Sequence, residues 1–148
     1  MRLEKRILIV DDDDAIRALV VTVLRRRGYQ LDTARNGVDA IEKLTSCSYS
    51  LVILDLMMPR MSGYGVLDEL AKIPEVSRPL VLVLTAGLEP KPFDKSFVIG
   101  TMHKPFDIEL LVDTVSGCVT AAVPREQLDS CPDGSVAQAA RTASEKPN

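Results

Sequence analysis

No apolar run in this chain approaches the length needed to cross a bilayer as a helix, so a helical membrane span is excluded. The charged N-terminus MRLEKRILIV offers only four aliphatic residues before a run of aspartates, too few for the apolar region of a secretory signal. Cysteine is scarce: Cys47, Cys118 and Cys131 are odd in number, widely spaced and without a CxxC pair. That pattern suggests neither a disulfide framework nor a zinc site and predicts reduced thiols in a cytoplasmic protein. Positive charge is not in excess. With 18 Lys and Arg against 21 Asp and Glu the net charge is −3, and no basic face is large enough to neutralise several phosphates, which argues against direct contact with nucleic acid. The segment LVILD could imitate the acidic strand of a nucleotide hydrolase, but no GxxxxGK phosphate loop accompanies it.

What is present is globular in composition, 46% hydrophobic and 26% charged, and 148 residues suit a single core. Short aliphatic runs alternate with segments of helical period as far as residue 122, the mark of βα units feeding a parallel sheet, so the class is α/β. Residues 7–10, 51–54 and 80–84 are continuously apolar, as strands covered on both faces require. Residues 29–34, YQLDTA, alternate and suit an edge strand, and FVIGTM at 97–102 is the predicted fifth strand. Ile16, Leu19, Val20, Val23 and Leu24 form one helical stripe, giving a first helix over 14–27 with cations in its last turn and Gly28 as its cap. Asn36 caps a second helix, Val66, Leu67, Leu70 and Ile73 mark a third that Pro74 stops, and Ile108, Leu111, Val112, Val115 and Val119 face the core from the last. Between the fourth and fifth strands only AGLEPKPFDKS is available, and its two prolines predict a fourth helix of one turn at most. Residues 1–122 thus form the domain. Residues 123–148, rich in Pro, Ser, Ala and charge, read as a disordered tail.

The chemistry gathers at strand ends. Asp11 and Asp12 follow the first strand, Asp55 the third, Thr85 closes the fourth and Lys104 follows the fifth. In an open parallel sheet these ends share one edge, where ligands bind. Several carboxylates in one crevice cannot all stay ionised without compensating cations, and Lys104 supplies one charge. Mg²⁺, which takes a shell of hard oxygens, suits Asp11, Asp12 and Asp55, with the backbone carbonyl of Met57 as an additional ligand. Asp12 is the preferred direct ligand, with Asp11 direct or through water. Asp13 and Asp14 instead meet the start of the first helix as caps. Asp55 can then act as a nucleophile toward phosphorus, with the metal, the Lys104 ammonium and the Thr85 hydroxyl holding the phosphoryl oxygens.

These residues resemble the receiver domain of bacterial response regulators, the phosphoacceptor half of two-component signalling. The resemblance rests on ILIVDDDDAIR, ARNGVDAIEKL, LVILDLMMPRMSGYGVL, VLTA and HKPF, in order, over residues 6–111. It implies a flavodoxin-like doubly wound five-stranded parallel sheet of order 2-1-3-4-5. It implies Asp55 as phosphoacceptor, Asp11 and Asp12 as the metal-binding acidic pair, Thr85 as the switch hydroxyl, Lys104 as the lysine paired with the phosphoryl group, and a cis peptide between Lys104 and Pro105. A sensor histidine kinase or histidine phosphotransfer protein is the implied donor and a downstream protein the target. The chain would be a monomer or a phosphorylation-dependent dimer, catalysing only its own modification.

Two departures stand out. Thr101 occupies the position, three before the lysine, where the family commonly has an aromatic that turns inward with the threonine. Met57 and Gly87, two residues after Asp55 and Thr85, cannot orient an attacking water through their side chains, which predicts a long-lived aspartyl phosphate. Plainer roles fit other features: Met57, Met58 and Met61 as packing and loop anchors rather than a copper site, His103 on the opposite face of its strand from Lys104, and Arg25, Arg26 and Arg27 as solvated cations at a helix end. Two functions compete: a stand-alone phosphoreceiver, and a receiver-fold interaction module that works without phosphorylation. A phosphatase would need an acid where Met57 stands.

Overall fold

The apolar runs at 51–54 and 80–84 become central strands because helices cover both of their faces, so neither face needs polar residues. The computed structural model describes residues 6–86 and 96–121, with side chains described as far as residue 119. Along the chain come β1 (Arg6–Val10), α1 (Asp14–Arg25), β2 (Gln30–Ala34), α2 (Gly37–Ser46), β3 (Leu51–Asp55), α3 (Gly63–Ala71), a 3₁₀ turn (Glu75–Ser77), β4 (Leu80–Ala86), β5 (Val98–Lys104) and α4 (Ile108–Ala121). The strands are all parallel and lie in the order β2-β1-β3-β4-β5. The predicted doubly wound α/β sheet is therefore present. The short helix expected between β4 and β5 and the tail expected at 123–148 fall at 87–95 and beyond 121, outside the described residues.

Side-chain alternation splits the core in two. Leu8, Val10, Val52, Leu54, Val81 and Val83 pack with Ala40 of α2 and with Val66, Leu67 and Leu70 of α3. Ile7, Ile9, Leu51, Ile53, Leu82 and Leu84 pack with Val20 and Leu24 of α1 and with Leu111, Val112, Val115 and Val119 of α4. Asp11 and Asp55 continue the odd-numbered series of their strands, which points them toward the α1 and α4 side.

Helix α1 stops two residues earlier than its cationic run suggests. The N–H groups of Arg27 and Gly28 donate to the carbonyls of Leu24 and Arg25, at 3.0 and 2.9 Å, so the chain tightens into i→i+3 bonds before leaving. Gly28 is not the cap itself; it lies two residues past Arg26, at φ +90°, where a side chain would be strained. Among the cysteines, Cys118 is free, and Cys131 lies outside the described residues.

Strand β5 runs two residues past its expected end and is irregular near its start. Val81 pairs with Val98, but Leu82 pairs with Gly100, so Ile99 is an extra residue. The consequence is a change of face. Val98 packs against the α2 and α3 core, whereas Met102, of the same parity, packs against the α1 and α4 core. Lys104 follows Met102 and so joins the side on which Asp11 and Asp55 stand.

Candidate functional site

The site is assembled at the carboxyl edge of the sheet, beside the point where the strand order reverses between β1 and β3. Asp55 ends β3 and is 2% exposed; Asp11 follows β1 and is fully buried; Asp12, one residue on, is exposed. A carboxylate oxygen from each of the three lies within 4.8 Å of the others. Lys104 Nζ enters from β5, 2.9 Å from Asp11 Oδ2 and 3.3 Å from Asp55 Oδ2. Four of the residues singled out in the sequence thus meet, although 93 positions separate Asp11 from Lys104 (104 less 11).

The hydrogen bonds of Asp11 leave one atom over. Its N–H donates to the Ala34 carbonyl at 3.1 Å, Oδ1 accepts from the Asp13 N–H at 2.9 Å, and its carbonyl accepts from Arg17 at 2.7 Å. Oδ2 is buried and faces the Lys104 ammonium at 2.9 Å. Asp55 Oδ1 accepts from the Met57 N–H at 3.1 Å, which leaves Oδ2 toward Lys104.

Electrostatics record the same shortage of positive charge. Burial raises the Asp55 carboxyl to about 6; the Met57 hydrogen bond and the Lys104 ammonium oppose the rise, and the Asp11 carboxylate adds to it. Burial alone would lower the Lys104 ammonium, but contacts with Asp11 and Asp55 outweigh it and leave its pKa raised. Three carboxylates face one ammonium. Three converging carboxylates that share a single ammonium form a set of hard oxygen donors that fits Mg²⁺, which prefers a few carboxylates together with waters.

The remaining predicted residues are less closely engaged. Thr85 is buried at the end of β4, one residue past Leu84, the ladder partner of Asp55, and no hydrogen bond joins it to Asp11, Asp55 or Lys104. Met57 is largely exposed, while Met58 and Met61 pack against the core. Thr101 lies exposed opposite Val83, and His103 lies exposed opposite Thr85. The peptide between Lys104 and Pro105 is cis, as the sequence resemblance implies. Asp13 is the N-cap of α1, accepting from the N–H groups of Ala15 and Ile16.

Arg17 and two glycines shape the site without being among the candidate site residues of the sequence. Arg17 grips the carbonyl of Asp11 from α1, a contact to backbone that leaves no spacing signature. Two glycines seat the loop after Asp55: a Cβ on Gly63 would lie 2.6 Å from the Asp55 carbonyl oxygen, and one on Gly37 would lie 2.4 Å from that of Met61. Gly37 lies inside ARNGVDAIEKL and Gly63 inside LVILDLMMPRMSGYGVL.

A family model described as response regulator receiver domain matches residues 7–116. The sporulation initiation phosphotransferase F of Bacillus subtilis is 36% identical over 116 residues, 76% of this chain and 92% of that protein. A transcriptional regulatory protein CpxR homolog of Haemophilus influenzae is 39% identical over 111 residues, 64% of this chain but 47% of that one, so the chain spans about half of this relative. Among solved structures, the response regulator TrrA of Thermotoga maritima, in complex with Mg(2+)-BeF, is 33% identical at a TM-score of 0.64 over 77% of this chain and 98% of that one. A CheY-like receiver domain protein of Methanospirillum hungatei is 29% identical at a TM-score of 0.68, over 78% and 97%.

Proposed function

Because the chain belongs to the response regulator receiver domain family, we propose that it accepts a phosphoryl group on Asp55 and signals by protein contacts. The donor is a sensor histidine kinase or a histidine phosphotransfer protein, and the target is another protein. The observation that carries the proposal is the buried Asp55 carboxylate, 3.3 Å from Lys104 and clustered with the carboxylates of Asp11 and Asp12.

In the proposed reaction an Asp55 oxygen attacks phosphorus, the new O–P bond forms as the P–N bond to the donor imidazole breaks, and the leaving imidazole keeps the electron pair. Burial makes Asp55 a more basic nucleophile than an exposed aspartate, since its carboxyl is raised to about 6. Lys104, held between Asp11 and Asp55, balances charge on the transferred group, and the Thr85 hydroxyl approaches it from the end of β4. Mg²⁺, held by the carboxylates of Asp11, Asp12 and Asp55 with the Met57 carbonyl, would neutralise phosphoryl oxygens as they meet the acidic crevice. Residues 1–122 constitute the receiver in this proposal. A stand-alone mode of action is favoured by likeness to a relative of which the chain spans 92%.

The second reading, an interaction module indifferent to phosphorylation, draws on exposed Thr101, where the family commonly has an inward-turning aromatic. Transfer from a labelled histidine phosphotransfer protein separates the two. Label should move to the wild type in Mg²⁺ and not to Asp55→Asn; label moving to neither favours the module.

A further inference from the structure

We propose that Arg17 is a positioning residue for the cation site: by gripping the backbone carbonyl of Asp11 it fixes the turn that aims the Asp11 and Asp12 carboxylates at one point. The inference rests on the Mg²⁺ binding proposed above.

Asp11 sits where the chain stops being a strand and must become a helix within three residues. Beyond the ladder its carbonyl is buried, and a buried carbonyl requires a donor. Arg17, on the first turns of α1, supplies it at 2.7 Å. The same guanidinium bonds the Asp14 carboxylate through its other terminal nitrogen, and the Arg17 N–H donates to the Asp13 carbonyl at 3.0 Å. The side chain is 18% exposed, so this fork is largely held in the protein. Arg17 therefore touches the acidic run at Asp11, Asp13 and Asp14 and skips only Asp12, the exposed member of the cluster.

The effect on Asp11 is complete. Strand pairing holds its N–H, Arg17 holds its carbonyl, and the Asp13 N–H holds Oδ1, so Oδ2, left toward Lys104, has a fixed direction. Releasing the carbonyl frees the peptide between Asp11 and Asp12, the bond about which both carboxylates would move apart. Groups that orient ligands without touching the metal commonly change affinity by about 10-fold or more.

Charge alone predicts the opposite sign. Arg17 is a cation beside the site and repels Mg²⁺, so a purely electrostatic role means that its removal tightens binding. Positioning means that removal weakens it.

The test is calorimetric titration of Mg²⁺ into the full chain, as wild type, Arg17→Ala, Arg17→Gln and Arg17→Lys, with thermal unfolding in EDTA measured alongside. The expected result is binding about 10-fold weaker in Arg17→Ala, recovered in Arg17→Lys and Arg17→Gln, which keep a donor for the Asp11 carbonyl. Should Arg17→Ala not fold, Arg17→Met, which keeps the apolar stem but neither donor nor charge, decides: binding about 10-fold weaker supports positioning, and affinity at or above the wild type overturns it. Wild-type or tighter binding by a folded Arg17→Ala also overturns it. A wild type that binds no Mg²⁺ overturns the metal reading as well, which separates the two failures.

Discussion

At the scale of single residues, the acidic run is two structures joined at a peptide bond. Asp11 and Asp12 belong to the crevice and Asp13 to the helix, where it accepts two otherwise orphaned N–H groups. Asp13→Ala should lower folding stability by about 1 kcal/mol in urea unfolding, with Mg²⁺ affinity retained, because the loss falls on the cap. Asp55 makes a separate demand. Its folded carboxyl is raised to about 6, so in the metal-free protein the folded state keeps a proton that the unfolded chain has already released. Stability contributed by the protonated form is present at acid pH and is lost as pH rises from about 4 to about 6. In EDTA at neutral pH, Asp55→Asn should therefore be more stable than the wild type by on the order of 3 kcal/mol, with the gap closing below about pH 4. A gap independent of pH in denaturant titrations would contradict this account. These charges were legible in the sequence because a carboxylate at the end of an apolar strand is costly and calls for a reason. Arg17 was not, since an arginine on an amphipathic helix reads first as surface.

At the scale of elements, the strands were legible because burial on both faces leaves an unbroken apolar run, and the helices because their buried positions recur at helical period. Ends and irregularities were not. The early stop of α1 depends on which carbonyl each N–H finds, and the extra residue at Ile99 depends on the partner strand, neither of which the local pattern records. That irregularity matters for the site, because it turns Met102 and Lys104 to the side of the sheet occupied by Asp11 and Asp55. The loop after Asp55 is placed just as strictly. Gly63 donates its N–H to the Leu56 carbonyl at 3.0 Å and leaves no room for a Cβ against the Asp55 carbonyl. Gly63→Ala must push a methyl group against the backbone of Asp55, so it should lose about 1–3 kcal/mol of stability and slow the proposed phosphoryl uptake as well. Unchanged unfolding and uptake would show that the loop is freer than its packing indicates.

At the scale of the whole molecule, two helical layers bury the sheet and leave its carboxyl edge as the place where charge collects. Membership of the receiver family accounts for this arrangement, and the departures from the family pattern bear on how long the proposed aspartyl phosphate lasts and how it is displayed. Met57 offers no side-chain hydrogen bond to an attacking water, which favours slow loss of the phosphoryl group once it is attached. Exposed Thr101 bears on display and leaves the acceptor cluster intact. The central claim is that Asp55 takes up phosphoryl in a reaction that needs the acidic pair and a divalent cation. Its most direct measurement is intact mass after incubation with a small phosphodonor, for the wild type with Mg²⁺ and with EDTA, and for Asp55→Asn and Asp12→Ala with Mg²⁺. The account predicts addition of one phosphoryl group to the wild type in Mg²⁺ alone, decaying slowly after the donor is removed. Equal addition to Asp55→Asn, or no addition to the wild type, would contradict it.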